Sequence, residues 1–213
     1  MKNILISGLL IAMAGMMFGA VTPVSAEEST VTESVLSTSE ADGLIFMREE
    51  EKLAHDVYVT LNAQWGLPLF QNIANSEATH MDAIGVLLNR YGLADPTAGN
   101  GVGEFTNPDL QELYDLLVAQ GGRSLADALK VGAAIEEIDI LDLQNRLAQT
   151  SSADIKLVYG NLMRGSENHL RAFTSTLQRQ TGETYVPQYL DETSYNAIVS
   201  TAAQSGGYRR GRR

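Results

Sequence analysis

Carboxylates and imidazoles recur at helical spacing in four separate stretches of this chain, and those stretches hold all three of its histidines. Along "MREEEKLAHDVY" one stripe runs through Leu44, Arg48, Glu51, His55 and Tyr58, while Glu49 and Glu50 point away from it. In "NSEATHMDAI", Glu77 and His80 share a face with Ile73, Ile84 and Leu87. "GAAIEEIDILDL" aligns Gly132, Glu136, Asp139, Leu143 and Leu147, and "NLMRGSENHLRAF" aligns Leu162, Ser166, His169, Phe173 and Leu177. Taken singly, each has an ordinary explanation. A Glu in an acidic run faces water, and a core His bonds to a neighbour. Burying an unpaired charge is costly, so four placements on four apolar faces call for one shared cause. Converging carboxylates and imidazoles are what a pair of hard-to-borderline cations requires. Carboxylates bridge and neutralise the ions, and imidazoles complete each one.

The elements that must position these residues all read as helices. The first runs from about 41 to 64 and stops near Gly66-Leu67-Pro68; the second runs from about 69 to 91. A Gly-rich loop, "LADPTAGNGVGEFT", leads to Asn107-Pro108, a capping residue followed by proline at the first helical position. The short helix it opens reaches about 119. Ser124 with Asp127 resembles a capping box and opens a helix over 125–148. A further long helix spans 153–180 and a last short one 191–203. There is no strand-period segment and no glycine-rich phosphate loop after a strand. Four long helices in two pairs, joined by a long crossover carrying a short helix, make an all-α four-helix bundle.

Composition bounds the setting. The 213-residue chain has a net charge of −11, which argues against a nucleic-acid-binding body. It has no Cys, which excludes disulfides, thiolate metal sites and Cys catalysis. Lys2, the apolar run from Ile4 to Ala20 and the small-residue site Val24-Ser25-Ala26 read as a signal peptide over 1–26. Cleavage after Ala26 would export the chain to the periplasm, the cell surface or the medium, with no stable membrane insertion. Residues 27–40 read as a disordered acidic lead-in, 41–203 as the bundle domain, and 204–213 as a loose basic Gly/Arg tail. The faces left exposed suggest a monomer or homodimer.

Four segments, "GLIFMREEEKLAHDVY", "NIANSEATHMDAIGVLLNRYGL", "VGAAIEEIDILDL" and "GSENHLRAF", together resemble the DUF2202 group of the ferritin-like, di-iron carboxylate superfamily. The resemblance covers about 41–190. Its pattern is one Glu on each of two helices and Glu-x-x-His on each of the other two. It picks Glu51 from its acidic run by the spacing to Ala54, His55 and Tyr58. It also picks Glu77 with His80, Glu136 with Glu137 as fallback, and His169. The resemblance implies two iron ions, with Mn or Zn as substitutes, bridged by Glu51 and Glu136. Glu77, His80 and His169 would be terminal ligands, and His55 would orient a ligand from one turn away. It implies oxidation of Fe(II) by peroxide or oxygen, or peroxide removal. Ser166 departs from the pattern, which has Glu there; Asp139, one turn from Glu136, is the candidate replacement. The alternatives are a metal-binding or interaction bundle without turnover, and a structural bundle with a buried polar network.

Overall fold

A computed structural model describes residues 36–201. These form six helices and no strand: α1 Thr38–Trp65, α2 Pro68–Arg90, α3 Pro108–Gly121, α4 Leu125–Gln149, α5 Ala153–Thr181 and α6 Glu192–Ser200. Among the described residues the chain is all-α. The segments 1–35 and 202–213, which hold the expected signal peptide, most of the lead-in and the basic tail, lie outside the described residues.

The helix ends follow local chemistry. α1 opens at Thr38, three residues before the expected start, because Ser37 and Glu40 make a reciprocal capping box. It ends at Gly66, whose φ of 61° is a left-handed conformation that glycine adopts without steric cost. Asn107 caps α3 through the Asp109 N–H, with Pro108 at the first position. Ser124 caps α4 by accepting from the Asp127 N–H, and its hydroxyl donates to the Asp127 carboxylate.

α1 and α2 form one hairpin and α4 and α5 another; α1 packs on α4 and α2 on α5. α3 lies against α1 and α4, and α6 against α5. The apolar core is divided. One cluster gathers Val57, Tyr58, Phe70, Leu129 and Phe173; the other gathers Leu44, Met47, Ile84, Leu143 and Tyr159. Between them, at mid-height on α1, α2, α4 and α5, lie buried Glu51, Glu77, Glu136, Ser166 and His169.

The crossover is pinned by the far side of α1. Glu49 accepts from the backbone N–H groups of Thr106 and Asn107, at 2.6 and 3.1 Å. Lys52 donates to Gly101 O at 2.7 Å, pairs with Asp56 and lies over the Phe105 ring. Asp56 accepts from the Gly103 N–H at 2.9 Å. Arg48 grips Asp95 with two nitrogens. Glu49 is therefore buried by the crossover and not by the bundle.

Glu40 also accepts from the hydroxyls of Thr150 and Ser152, tying the start of α1 to the α4–α5 turn. The Thr150 bond, followed by those from Ser37 and Ser152, holds its carboxyl down to about 2. The folded value lies below the unfolded one. The stability this adds is therefore present above about pH 4.5 and is lost as pH falls towards 2. Ser37→Ala should cost about 1 kcal/mol at neutral pH. Glu40→Gln should flatten stability against pH over that acid window. Urea unfolding at pH 7 and pH 3 checks both, and an unchanged acid slope in Glu40→Gln would contradict the assignment.

Candidate metal centre

Four helices deliver the mid-height polar layer. α1 supplies Glu51, α2 supplies Glu77 and His80 one turn apart, α4 supplies Glu136 and α5 supplies His169. Glu77 sits between the two imidazoles. Its Oε2 is 2.7 Å from His80 Nδ1 and its Oε1 is 2.8 Å from His169 Nδ1. Glu51 Oε2 approaches His80 Nδ1 at 3.2 Å, and Glu136 Oε2 approaches His169 Nδ1 at 3.4 Å. The two rings stack with centroids 5.7 Å apart. Two triplets result, Glu51–Glu77–His80 and Glu77–Glu136–His169, each with donor atoms inside 4.8 Å of one another. Glu77 is common to both. Glu51 and Glu136, expected as bridging ligands, fall in one triplet each.

Several of these atoms are buried with no hydrogen-bond partner: Glu51 Oε1, Glu77 Oε1, Asp139 Oδ1 and His169 Nδ1. Glu77 Oε1 and His169 Nδ1 are close, yet their alignment makes no hydrogen bond. The surrounding contacts orient what remains. Ser76 Oγ lies 3.0 Å from His169 Nε2, leaving Nδ1 turned toward Glu77. Tyr58 donates its hydroxyl to Glu136 Oε1 at 2.6 Å. Ser166 donates to Asp139 Oδ2 and, at 3.1 Å, to Leu162 O.

The electrostatics of the layer without a cation are those of protons standing in for positive charge. Burial would lower both imidazoles, but facing carboxylates outweigh it. Glu77 and Glu136 lift His169 to about 10, and Glu51 and Glu77 hold His80 well above its ordinary value. Burial pushes Glu51 up to about 7 against the pull of His80. Burial also acts on Glu77, yet its two imidazole neighbours hold that carboxyl far below the usual range. Glu136 is raised, chiefly by burial. Asp139 and Glu50 are raised well above normal, first by burial and then by neighbouring acids.

Five expected ligands come together: Glu51, Glu77, His80, Glu136 and His169. Asp139 lies in neither triplet, although it lines the same recess as Glu51, Glu77 and Glu136. His55 bonds to Asp56 at 2.8 Å within the crossover network and orients no ligand of the layer. Glu137, the fallback, faces the other way and accepts from the backbone N–H groups of Gln188, Tyr189 and Leu190. Glu50, set aside with Glu49 as pointing elsewhere, is buried and lines the recess. Ser76 gave no signal, because its partner lies on another helix and no spacing within α2 marks it.

Residues 40–202 match the model of a family described as "Uncharacterized protein domain (DUF2202)". The chain belongs to that family. A DUF2202 relative by sequence is the uncharacterized protein MJ0754 of Methanocaldococcus jannaschii, 49% identical over 178 residues. The match spans 84% of this chain and 96% of that one. The crystal structure of hypothetical protein MJ0754 superposes with a TM-score of 0.79, covering 83% of this chain and 100% of the other. The DUF2202 fold seen here is therefore close to one determined by diffraction.

Gly165 lets α5 approach His80: a Cβ there would lie 2.6 Å from His80 Cε1 and Nε2. On an unobstructed helix Gly→Ala gains roughly 1 kcal/mol. Here Gly165→Ala should destabilise the metal-free protein, and the same change should become stabilising in a His80→Ala background. A double-mutant cycle by urea unfolding tests this; equal effects in both backgrounds would show that His80 does not press on α5.

Proposed function

We propose that this DUF2202 protein is a ferritin-like metal protein whose buried layer holds two iron ions and handles Fe(II) with peroxide or oxygen. The observation that carries the reading is the set of orphaned, buried donor atoms around Glu77. Glu77 pairs with both imidazoles at 2.7 and 2.8 Å, donor atoms of two triplets lie within 4.8 Å of one another, and Glu51 Oε1 has no hydrogen-bond partner. Two hairpins that each contribute Glu and His to a bundle core also support it, since this is how di-iron carboxylate bundles are built.

The residues fit such a pair. Glu51, Glu77 and His80 would hold one ion, and Glu77, Glu136 and His169 the other. Three carboxylates nearly offset two divalent charges, and Asp139 close by makes four. When bound, iron supplies the one-electron and oxygen chemistry that no side chain here provides. The protein's own part is positioning and exclusion. Ser76 holds the Nε2 side of His169, Tyr58 holds Glu136, and the packed rings of Tyr58, Phe70 and Phe173 close one end of the layer to water. Metal must displace the protons held on His80 and His169, so affinity should rise with pH.

Among the described residues no helix is long and apolar enough to cross a membrane. Export after cleavage at Ala26 is part of the proposal, and a mature N-terminus at Glu27 by mass analysis would support it.

Anaerobic Fe(II) titration of untagged protein separates the roles. Wild type should bind two ions and Glu77→Ala none, because both sites share that carboxylate. His80→Ala and His169→Ala should each keep one ion. Two ions retained by Glu77→Ala would overturn the ligand set. Alternating additions of Fe(II) and peroxide to the loaded wild type should oxidise about two of the added Fe(II) per peroxide over many cycles; binding without turnover would leave a storage or structural role for the metal.

A further inference from the structure

A recess between α1, α3 and α4 ends on the buried layer. Glu51, Glu77 and Glu136 all border it, while neither His80 nor His169 does. Leu53 of α1, Ile135 of α4, and Leu110 and Leu113 of the crossover helix α3 form its apolar sides. The space they leave is ≈ 20 Å³, about the room of one water. Those sides do not part freely. Leu53, Leu110 and Ile135 are buried in one apolar cluster, and Leu113 packs against it. Close-packed side chains of this kind yield little to an inserted group. The start of α3 is also fixed. Glu49 accepts from the N–H groups of Thr106 and Asn107, and Asn107 caps α3. The first turn of α3, which carries Leu110, is thus tied to α1 two residues before Glu51.

We infer that the crossover helix sets the size of the oxidant: Leu110 and Leu113 admit hydrogen peroxide to the Glu77 centre and exclude organic hydroperoxides. The inference rests on the reading of that centre as a di-iron site that handles peroxide. The reaction itself draws no such distinction. Either peroxide takes one electron from each of two Fe(II) and two protons from solvent as its O–O bond breaks. Hydrogen peroxide leaves as two waters, and an organic hydroperoxide as one alcohol and one water. A preference must therefore come from the walls. A molecule of two oxygen atoms needs only small shifts at the ends of the leucine side chains. A branched alkyl group needs α3 to move, against the packing and the Glu49 tie. The recess also holds a polar partner that only the smaller molecule can use fully. Asp139 lines it, with Oδ2 held by Ser166 and Oδ1 buried without a hydrogen-bond partner. Hydrogen peroxide carries an O–H group at each end to meet it, and an alkyl group cannot replace that bond.

Two measurements on wild type and Leu110→Ala test this. Xenon-pressurised crystals of metal-free protein read the space directly. Wild type should show no xenon between α1, α3 and α4, and Leu110→Ala should show a site there, because an apolar cavity left by truncating a leucine takes up xenon. Stopped-flow oxidation of Fe(II)-loaded protein then compares hydrogen peroxide with tert-butyl hydroperoxide. Wild type should favour hydrogen peroxide about a hundredfold more than aqueous Fe(II) does, and Leu110→Ala should cut that preference about tenfold. If Leu110→Ala does not fold, Leu113→Ala at its half-buried position carries both measurements. A wild type that shows no preference beyond that of aqueous Fe(II) would overturn the inference while leaving the centre intact. So would an unchanged preference in a variant whose recess holds xenon, since the oxidant would then arrive by another way. Absence of xenon from a folded variant would overturn it too, by showing that these leucines do not set the space. A wild type that binds no Fe(II), or oxidises it with neither peroxide, would instead overturn the reading of the centre, and the inference with it.

Discussion

A layer of buried charge divides the interior of this bundle, and the rest of the structure is arranged around it. Glu51, Glu77 and Glu136 are each 2% exposed, inside a core that is otherwise apolar above and below. Three carboxylates cannot remain ionised there without positive charge at contact distance. His80 and His169 provide it when protonated, and cations would provide it better, because they satisfy the oxygen and nitrogen atoms that hydrogen bonds leave unpaired. Two apolar clusters, one on each side, fix the heights of the four helices and so bring donors from four segments into one plane.

The surroundings serve the same constraint. Ser76 and Tyr58 use hydroxyls to fix one imidazole and one carboxylate without adding charge. Gly165 removes a Cβ where His80 needs room. Ser166 donates to Asp139, which lines the recess beside Glu51, Glu77 and Glu136. Away from the layer, acids take purely structural work. Glu49 and Asp56 bind backbone N–H groups of the crossover, and Glu137 binds those of the segment before α6.

Much of this is legible in the chain. Asn107-Pro108, Gly66 and Gly182 mark helix ends because capping and left-handed turns demand those residue types. Glu77 with His80, and His169 with Phe173, stand out because a helix face that is otherwise apolar must bury them. The run Glu49-Glu50-Glu51 is not legible in the same way. Successive residues project about 100° apart, so a single apolar stripe can claim only one of them. All three are buried because α1 is covered on further sides, by the crossover at Glu49 and by α4 at Glu50. Which carboxylate is shared is likewise invisible in spacing, since it depends on how the two hairpins face each other. The fate of His55 turned on Asp56 next to it, a partner that competes with any role toward the layer.

The central claim is that the orphaned atoms around Glu77 are cation ligands. Anomalous diffraction at the iron edge, from crystals loaded anaerobically with Fe(II), tests it most directly. The account predicts two peaks, one among Glu51, Glu77 and His80 and one among Glu77, Glu136 and His169. An iron-free layer under those conditions, with Glu77 hydrogen-bonded to both imidazolium rings, would contradict it.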